Sequence, residues 1–155
     1  TDLMTRVKVR EKILNESMLY DTYDVPAGEK PEDTSFKHFG SSQFHWVILL
    51  TNNITDRYYG WPLSFQDFES YITEKYTNPD GIHHYEITQS SGPQTGNGPD
   101  DYSHKVEVNS TVSGAQSVSN REYEQRLQDE KRQIKLLNPS YLQTFIEEFN
   151  SLIRN

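Results

Sequence analysis

Cysteine is absent from the 155-residue chain, which excludes disulfides, thiolate metal sites and cysteine nucleophiles. Alanine is nearly absent, at two residues. Leu, Ile, Val and Phe number 35, about 23% of the chain, just above the ~20% level at which disorder becomes the default. Long apolar runs are missing as well: the longest, Trp46 to Leu50, falls far short of the ~20 residues of a membrane-spanning helix. No leader of basic then apolar residues opens the chain, so secretion is not expected. Basic groups are outnumbered 15 to 23, for a net charge of −8. That balance disfavours a nucleic-acid backbone as partner. No nucleophile elbow, phosphate loop or dinucleotide fingerprint occurs.

Aromatic rings are abundant instead: 19 in all, ten of them tyrosine, with eleven between Phe36 and Tyr76. A chain poor in aliphatics and rich in amphipathic rings often completes its core against a partner. Acid is concentrated in residues 31–120, whereas 121–155 carries both signs equally and reads as a salt-bridged helical surface.

Periodicity and punctuation give the elements. Residues 6–10 alternate, as a short strand or as the start of a helix running to Leu19. Tyr20 to Val25 reads as a strand, stopped at Pro26-Ala27-Gly28. A helix follows Pro31, with Glu32 and Asp33 in its first turn and Gly40 just past its end. A second helix, capped at Ser41 or Ser42 and running to about Thr51, is apolar almost all round and so is expected to be covered on both sides. Ser64 and Asp67 begin a third helix to about Tyr76, with Phe65, Phe68, Ile72 and Tyr76 on its inner stripe. Residues 82–88 and 104–112 read as strands around a flexible tip at 90–99, and 113–120 as a linker. A polar helix from about Arg121 to Glu130, a short strand at Ile134 and Leu136, and a last helix opened by Asn138-Pro139 complete the chain.

Candidate chemistry is thin. His83, His84 and His104 with Asp100-Asp101 are the only metal-like set, but adjacent strand histidines point to opposite faces and cannot share an ion without distortion. The carboxylate pairs Asp100-Asp101 and Glu147-Glu148 read as solvated surface, because general acid–base work needs a held, desolvated carboxylate. No enzyme, no metal and no cofactor is expected; a hydrolase reading has no constellation to stand on. The unusual stretch is Gln43 to Pro62. Trp46 and Tyr59 read as core, whereas Arg57, Tyr58 and Trp61 beside the Gly60 kink read as an anchoring patch, since Tyr, Trp and Arg dominate interface energetics.

This stretch also carries a resemblance. Gln43-Phe-His-Trp-Val-Ile-Leu-Leu-Thr-Asn-Asn, then Asp56-Arg-Tyr-Tyr-Gly-Trp61 and Glu130-Lys-Arg-Gln-Ile-Lys-Leu-Leu137, resemble the baseplate wedge protein 53 family of T-even-like contractile-tailed bacteriophages. The last helix fits the family's C-terminal helix, residues 81–120 depart from it, and a further segment is expected ahead of Asp2. Residues 20–63 resemble a LysM module in outline, with Gly60-Trp-Pro-Leu as its closing strand. The Gly-Asp-Thr turn usual in LysM modules is broken up here.

The resulting expectation is an α+β fold: a LysM-like βααβ unit, an added hairpin and a C-terminal helix-strand-helix. Its parts would be residues 1–80, 81–120 and 121–155. By resemblance it is a structural baseplate component in the virion tail, assembled in the host cytoplasm and present in six copies or a multiple. Its implied partners are core wedge subunits, a sheath-initiator-like wedge protein and neighbouring wedges, with no membrane and no nucleic acid. The expected contact residues are Phe44, Arg57, Tyr58, Trp61, Arg132 and Lys135, and Trp61→Ala is expected to spare the fold and block ring formation. The alternative is a LysM-type module binding peptidoglycan.

Overall fold

The computed structural model describes residues 18–90 and 98–154, together with Val9. The alternation at 6–10, nearly all of the stretch leading to Leu19 and most of the tip at 90–99 lie outside the described residues. The order is β1 (Tyr20–Asp24), α1 (Pro31–Phe39), α2 (His45–Thr51), α3 (Arg57–Gly60), α4 (Phe65–Lys75), β2 (Ile82–Gln89), β3 (His104–Val108), β4 (Gln116–Ser119), α5 (Asn120–Arg132), β5 (Gln133–Leu137) and α6 (Leu142–Arg154). Single 3-10 turns at Ser42–Phe44 and Pro139–Tyr141 precede α2 and α6. The class is α+β, as the sequence indicates. Two compact units divide the chain: Thr1–Asp67 with Gln128–Asn155, and Phe68–Leu127.

In the first unit β1 pairs antiparallel with β5, from Tyr20 opposite Leu137 to Asp24 opposite Gln133. This corrects the expectation that Gly60 to Leu63 closes the sheet. Gly60 ends α3, and the residues after it form no strand. The reason is physical: Pro62 has no N–H to give a ladder, whereas Ile134, Leu136 and Leu137 of β5 present three side chains that are all buried. Val25, Ile48, Trp61, Ile134 and Leu136 form one core cluster; Tyr20, Val47 and Leu137 form a second.

The helix signals hold in detail. Pro31 opens α1, the Asp33 carboxylate accepts from Lys30 N at 3.2 Å, and Gly40 closes it in the left-handed region at φ 75°. Helix α2 buries Val47, Ile48 and Thr51. Its opposite side is covered by α6, with Trp46 lying 4.7 Å from Phe149 and 6.4 Å from Phe145 between ring centroids. The expectation of cover on both sides is therefore met. Phe65 departs from its expected inner position: it is 75% exposed at the first turn of α4, one turn ahead of the buried Phe68 and two ahead of the buried Ile72.

Asn52, just past α2, locks helix to sheet. Its amide donates to Ile48 O (2.9 Å) and Lys135 O (2.8 Å), and its carbonyl accepts from Lys135 N (2.8 Å). Thus one side chain occupies the outward-facing backbone groups of the middle residue of β5.

The second unit holds a three-stranded antiparallel sheet in the order β3-β2-β4. Two sequence expectations shift here. The stretch at 113–120 contains β4, and β3 stops at Val108, because Val112 belongs to a turn (Val112 N to Asn109 O, 3.0 Å) that continues through Gly114 at φ 85°. The unit's interior is unusually ionic. Buried Glu124 accepts from Lys75 Nζ (2.6 Å), Tyr76 OH (2.7 Å) and Tyr71 OH (3.3 Å). Buried Glu86 accepts both Arg126 guanidinium nitrogens (2.7 and 2.9 Å) and Lys105 Nζ (2.5 Å).

Two predictions follow from this packing. Asn52→Ala strands the polar groups of Lys135, so unfolding free energy in urea should fall by about 2–3 kcal/mol. For Glu86, the Arg126 hydrogen bonds, opposed by burial and reinforced by Lys105, lower the carboxyl from 4.5 to about 2. A lowered carboxylate contributes its stability fully above the unfolded value and loses it as pH falls toward the folded value. The second unit should therefore lose roughly 3 kcal/mol between pH 4.5 and about 2. Amide chemical shifts of β2 followed through acid unfolding should show this loss, and Glu86→Gln should flatten it.

Candidate functional site

Residues 56–61 split their side chains between surface and core. Asp56 begins α3, its carboxylate accepting from Tyr58 N (2.8 Å) and Tyr59 N (3.3 Å). Arg57 reaches back to α1, donating to Glu32 at 3.0 Å in an ion pair, and Lys131 Nζ grips Tyr59 O at 2.9 Å. The turn is thus pinned from three directions. Tyr58 and Tyr59 stand out from it, 78% and 71% exposed.

Gly60 is required at the next position: a Cβ there would meet Ile54 Cγ2 at 2.7 Å. Close packing against Ile54 then lets the chain drop Trp61 into the core, where the ring is 5% exposed and Nε1 donates to Glu29 O at 2.7 Å. Trp61 is therefore buried in this unit rather than displayed as a surface anchor, and its loss is now expected to disturb the fold. A ring with an indole N–H is buried readily once a carbonyl satisfies that donor.

Glu29 organises the adjoining β1–α1 turn. Its buried carboxylate accepts from Tyr23 OH (3.0 Å), Thr34 Oγ1 (2.7 Å) and Lys37 Nζ (2.5 Å). Burial alone would raise its pKa; the hydrogen bonds from Lys37, Thr34 and Tyr23 outweigh that and hold it below the ordinary carboxylate value. With donors on both oxygens, this group is a structural pin. Beside it lies a shallow groove of about 580 Å³, edged by Gly28, Glu32, Lys37 and the exposed ring of Phe36.

The other expected contact residues scatter. Phe44 is half-buried against the second cluster, 6.3 Å edge-on from Phe39. Arg132 is half-buried, with its guanidinium 3.7 Å from Asp129. Lys135 is half-buried on β5, its backbone held by Asn52. Only Arg57 and Tyr58 are brought together at the surface. Tyr59, which reads as core, joins them, as do the exposed rings of Phe36 and Phe65 elsewhere in the same unit. No spacing rule marked Tyr59 as exposed; the choice among the three rings rests on the close approach of Gly60 to Ile54.

The histidines also differ from expectation. At an irregularity in β2 between Ile82 and His84 the two rings meet edge-to-face, Nδ1 to Nδ1 at 2.9 Å, with His83 stacked 3.9 Å from Tyr123. Among the described residues no group of three or more His, Asp or Glu side chains is arranged to hold a metal, and no helix is long and apolar enough to cross a membrane.

Comparison with known proteins decides the family. The family described as "Base plate wedge protein 53" matches residues 1–92, more than half of the chain. The chain belongs to this family. A curated relative, "Baseplate wedge protein gp53" of Enterobacteria phage T4, is 33% identical over 60 residues, covering 39% of this chain and 31% of that protein. The chain thus spans about a third of the length of the curated relative it matches. Within that membership, β1, α1 to α4 and β2, with the exposed tyrosines of α3, all fall among the matched residues.

Truncation at Trp61 should now read as a core change. Trp61→Phe, which keeps a ring but loses the bond to Glu29 O, should cost about 1–2 kcal/mol, and Trp61→Ala about 3–5 kcal/mol. Calorimetric melting of both variants checks this; a melting temperature unchanged in Trp61→Ala would contradict the burial.

Proposed function

We propose that this family member is a non-catalytic docking component of the baseplate wedge. It binds core wedge subunits through α3 and helps to join neighbouring wedges into the sixfold ring around the hub. The observation that carries this reading is the exposure of Tyr58 and Tyr59 on a turn pinned by Asp56, Arg57–Glu32 and Lys131. Exposed tyrosine on a rigid turn loses little side-chain entropy on binding, which is the property of an anchor. The thin aliphatic content agrees, because burial against other subunits would supplement a small core. Arg57 and Tyr58 remain the proposed contacts, with Tyr59 added and Trp61 supporting them from beneath. Phe44, Arg132 and Lys135 carry less, being half-buried.

A second reading, a LysM-like unit that binds peptidoglycan, is favoured by one observation: the groove beside the β1–α1 turn has a polar wall and an exposed phenyl ring at its edge. Retention on insoluble peptidoglycan that resists salt and is lost in Phe36→Ala would support it.

For the docking reading, the double variant Tyr58→Ala/Tyr59→Ala should change unfolding free energy by less than about 0.5 kcal/mol and weaken co-sedimentation with purified wedge subunits by at least ~30-fold. Normal co-sedimentation of the folded variant would remove α3 from the interface.

A further inference from the structure

The two strands of the first unit's sheet treat their outer edges differently. Val25 N donates to Arg132 O (2.9 Å) and Asn138 N to Leu19 O (2.8 Å), at the two ends of the β1–β5 ladder. In an antiparallel pair the hydrogen-bonded positions alternate. Asp21 and Tyr23 therefore face β5 with their backbone groups, and Tyr20, Thr22 and Asp24 turn theirs outward. The same parity turns Gln133, Lys135 and Leu137 outward on β5.

On β5 that edge is taken at its middle residue and at Leu137 O. Asn52 takes both backbone groups of Lys135, and His38 Nε2 donates to Leu137 O at 2.8 Å. On β1 no described residue bonds to the outward backbone groups of Tyr20, Thr22 or Asp24. Thr22 and Asp24 are exposed, as is Asp21, and no described cation pairs with either aspartate. An open strand edge is a template for another strand.

The charge on β1 selects which strand. A second copy of β1 laid antiparallel about Thr22 would set four aspartates along one junction, in a protein of net charge −8. By contrast, β3, at an outer position of the other sheet, carries both signs, Lys105 and Glu107. We propose that the outer edge of β1 takes an extended, lysine- or arginine-bearing segment of a partner protein as a third strand. The inference deepens the docking reading and rests on it only for the existence of a wedge partner.

The test uses the full, isotope-labelled chain and a short synthetic peptide of alternating Lys and Val, with a Glu and Val peptide as control. Amide exchange at Thr22 and Asp24 should slow by about tenfold or more with the basic peptide and stay unchanged with the acidic one. Thr22→Pro deletes an outward N–H while leaving the β1–β5 bonds, so it should abolish the effect, and Thr22→Val should keep it. If Thr22→Pro does not fold, Asp21→Asn/Asp24→Asn replaces it and should erase the preference for the basic peptide. The proposal is overturned if protection is absent, if both peptides protect equally, or if the free chain already protects these amides through contacts from its own residues 6–10. Recovery of the wild-type chain with wedge subunits is scored separately. Its failure removes the docking reading and leaves the peptide result to stand alone.

Discussion

The pairing of β1 with β5 is the constraint on which the first unit depends. It joins a strand near one end of the chain to a strand near the other, so the helices between them and the whole second unit leave and return within one closed loop. Loop closure over such a length costs entropy before any contact rewards it. What offsets it is dense around one place: Ile134 and Leu136 meet Val25, Ile48 and Trp61, and Asn52 ties the sheet to α2 through three hydrogen bonds. The same Asn52 and His38 occupy the middle and one end of the outer edge of β5. A two-stranded sheet survives here because one edge is partly capped by side chains and one face is buried.

The surface that reads as functional is a by-product of how Trp61 is buried. Gly60 lies so close to Ile54 that no side chain fits, and this approach turns Trp61 inward while Tyr58 and Tyr59 remain on the pinned turn before it. Core and candidate interface are therefore mechanically continuous. A lesion at Trp61 disturbs the presentation of the tyrosines, whereas a lesion at a tyrosine need not disturb the core. The family match, which covers this segment, gives the arrangement its context among baseplate wedge proteins.

Charge is handled in a consistent way across the chain. Glu29, Glu86 and Glu124 are buried, yet each is surrounded by donors, and each is held below the ordinary carboxylate value against the opposing push of burial. Such groups define where a segment sits more than they add net stability. Glu29 fixes the β1–α1 turn beside the groove; Glu86 and Glu124 fix β2 and α5 within the second unit, where buried aliphatic side chains are few.

By itself the sequence determined what is local. Helix boundaries at Pro31, Gly40, Ser64 and Asn138, the strand at Tyr20, the polar helix after Arg121 and the α+β class all follow from caps, turns and periodicity, whose physics acts over a few residues. The family was legible too, from the run of Gln43 to Trp61, which lies within the matched residues. Tertiary structure alone decided which strand β1 would pair with, because Gly60-Trp61-Pro62 and Ile134-Lys135-Leu136 both read as short extended segments until burial and N–H supply are compared. It also decided which of the Tyr58, Tyr59 and Trp61 rings went inward, since that choice depends on a contact between Gly60 and Ile54 that no spacing rule encodes. The edge-to-face histidines of β2 belong to the same class: they meet at an irregularity in strand pairing, where plain alternation would have set them on opposite faces.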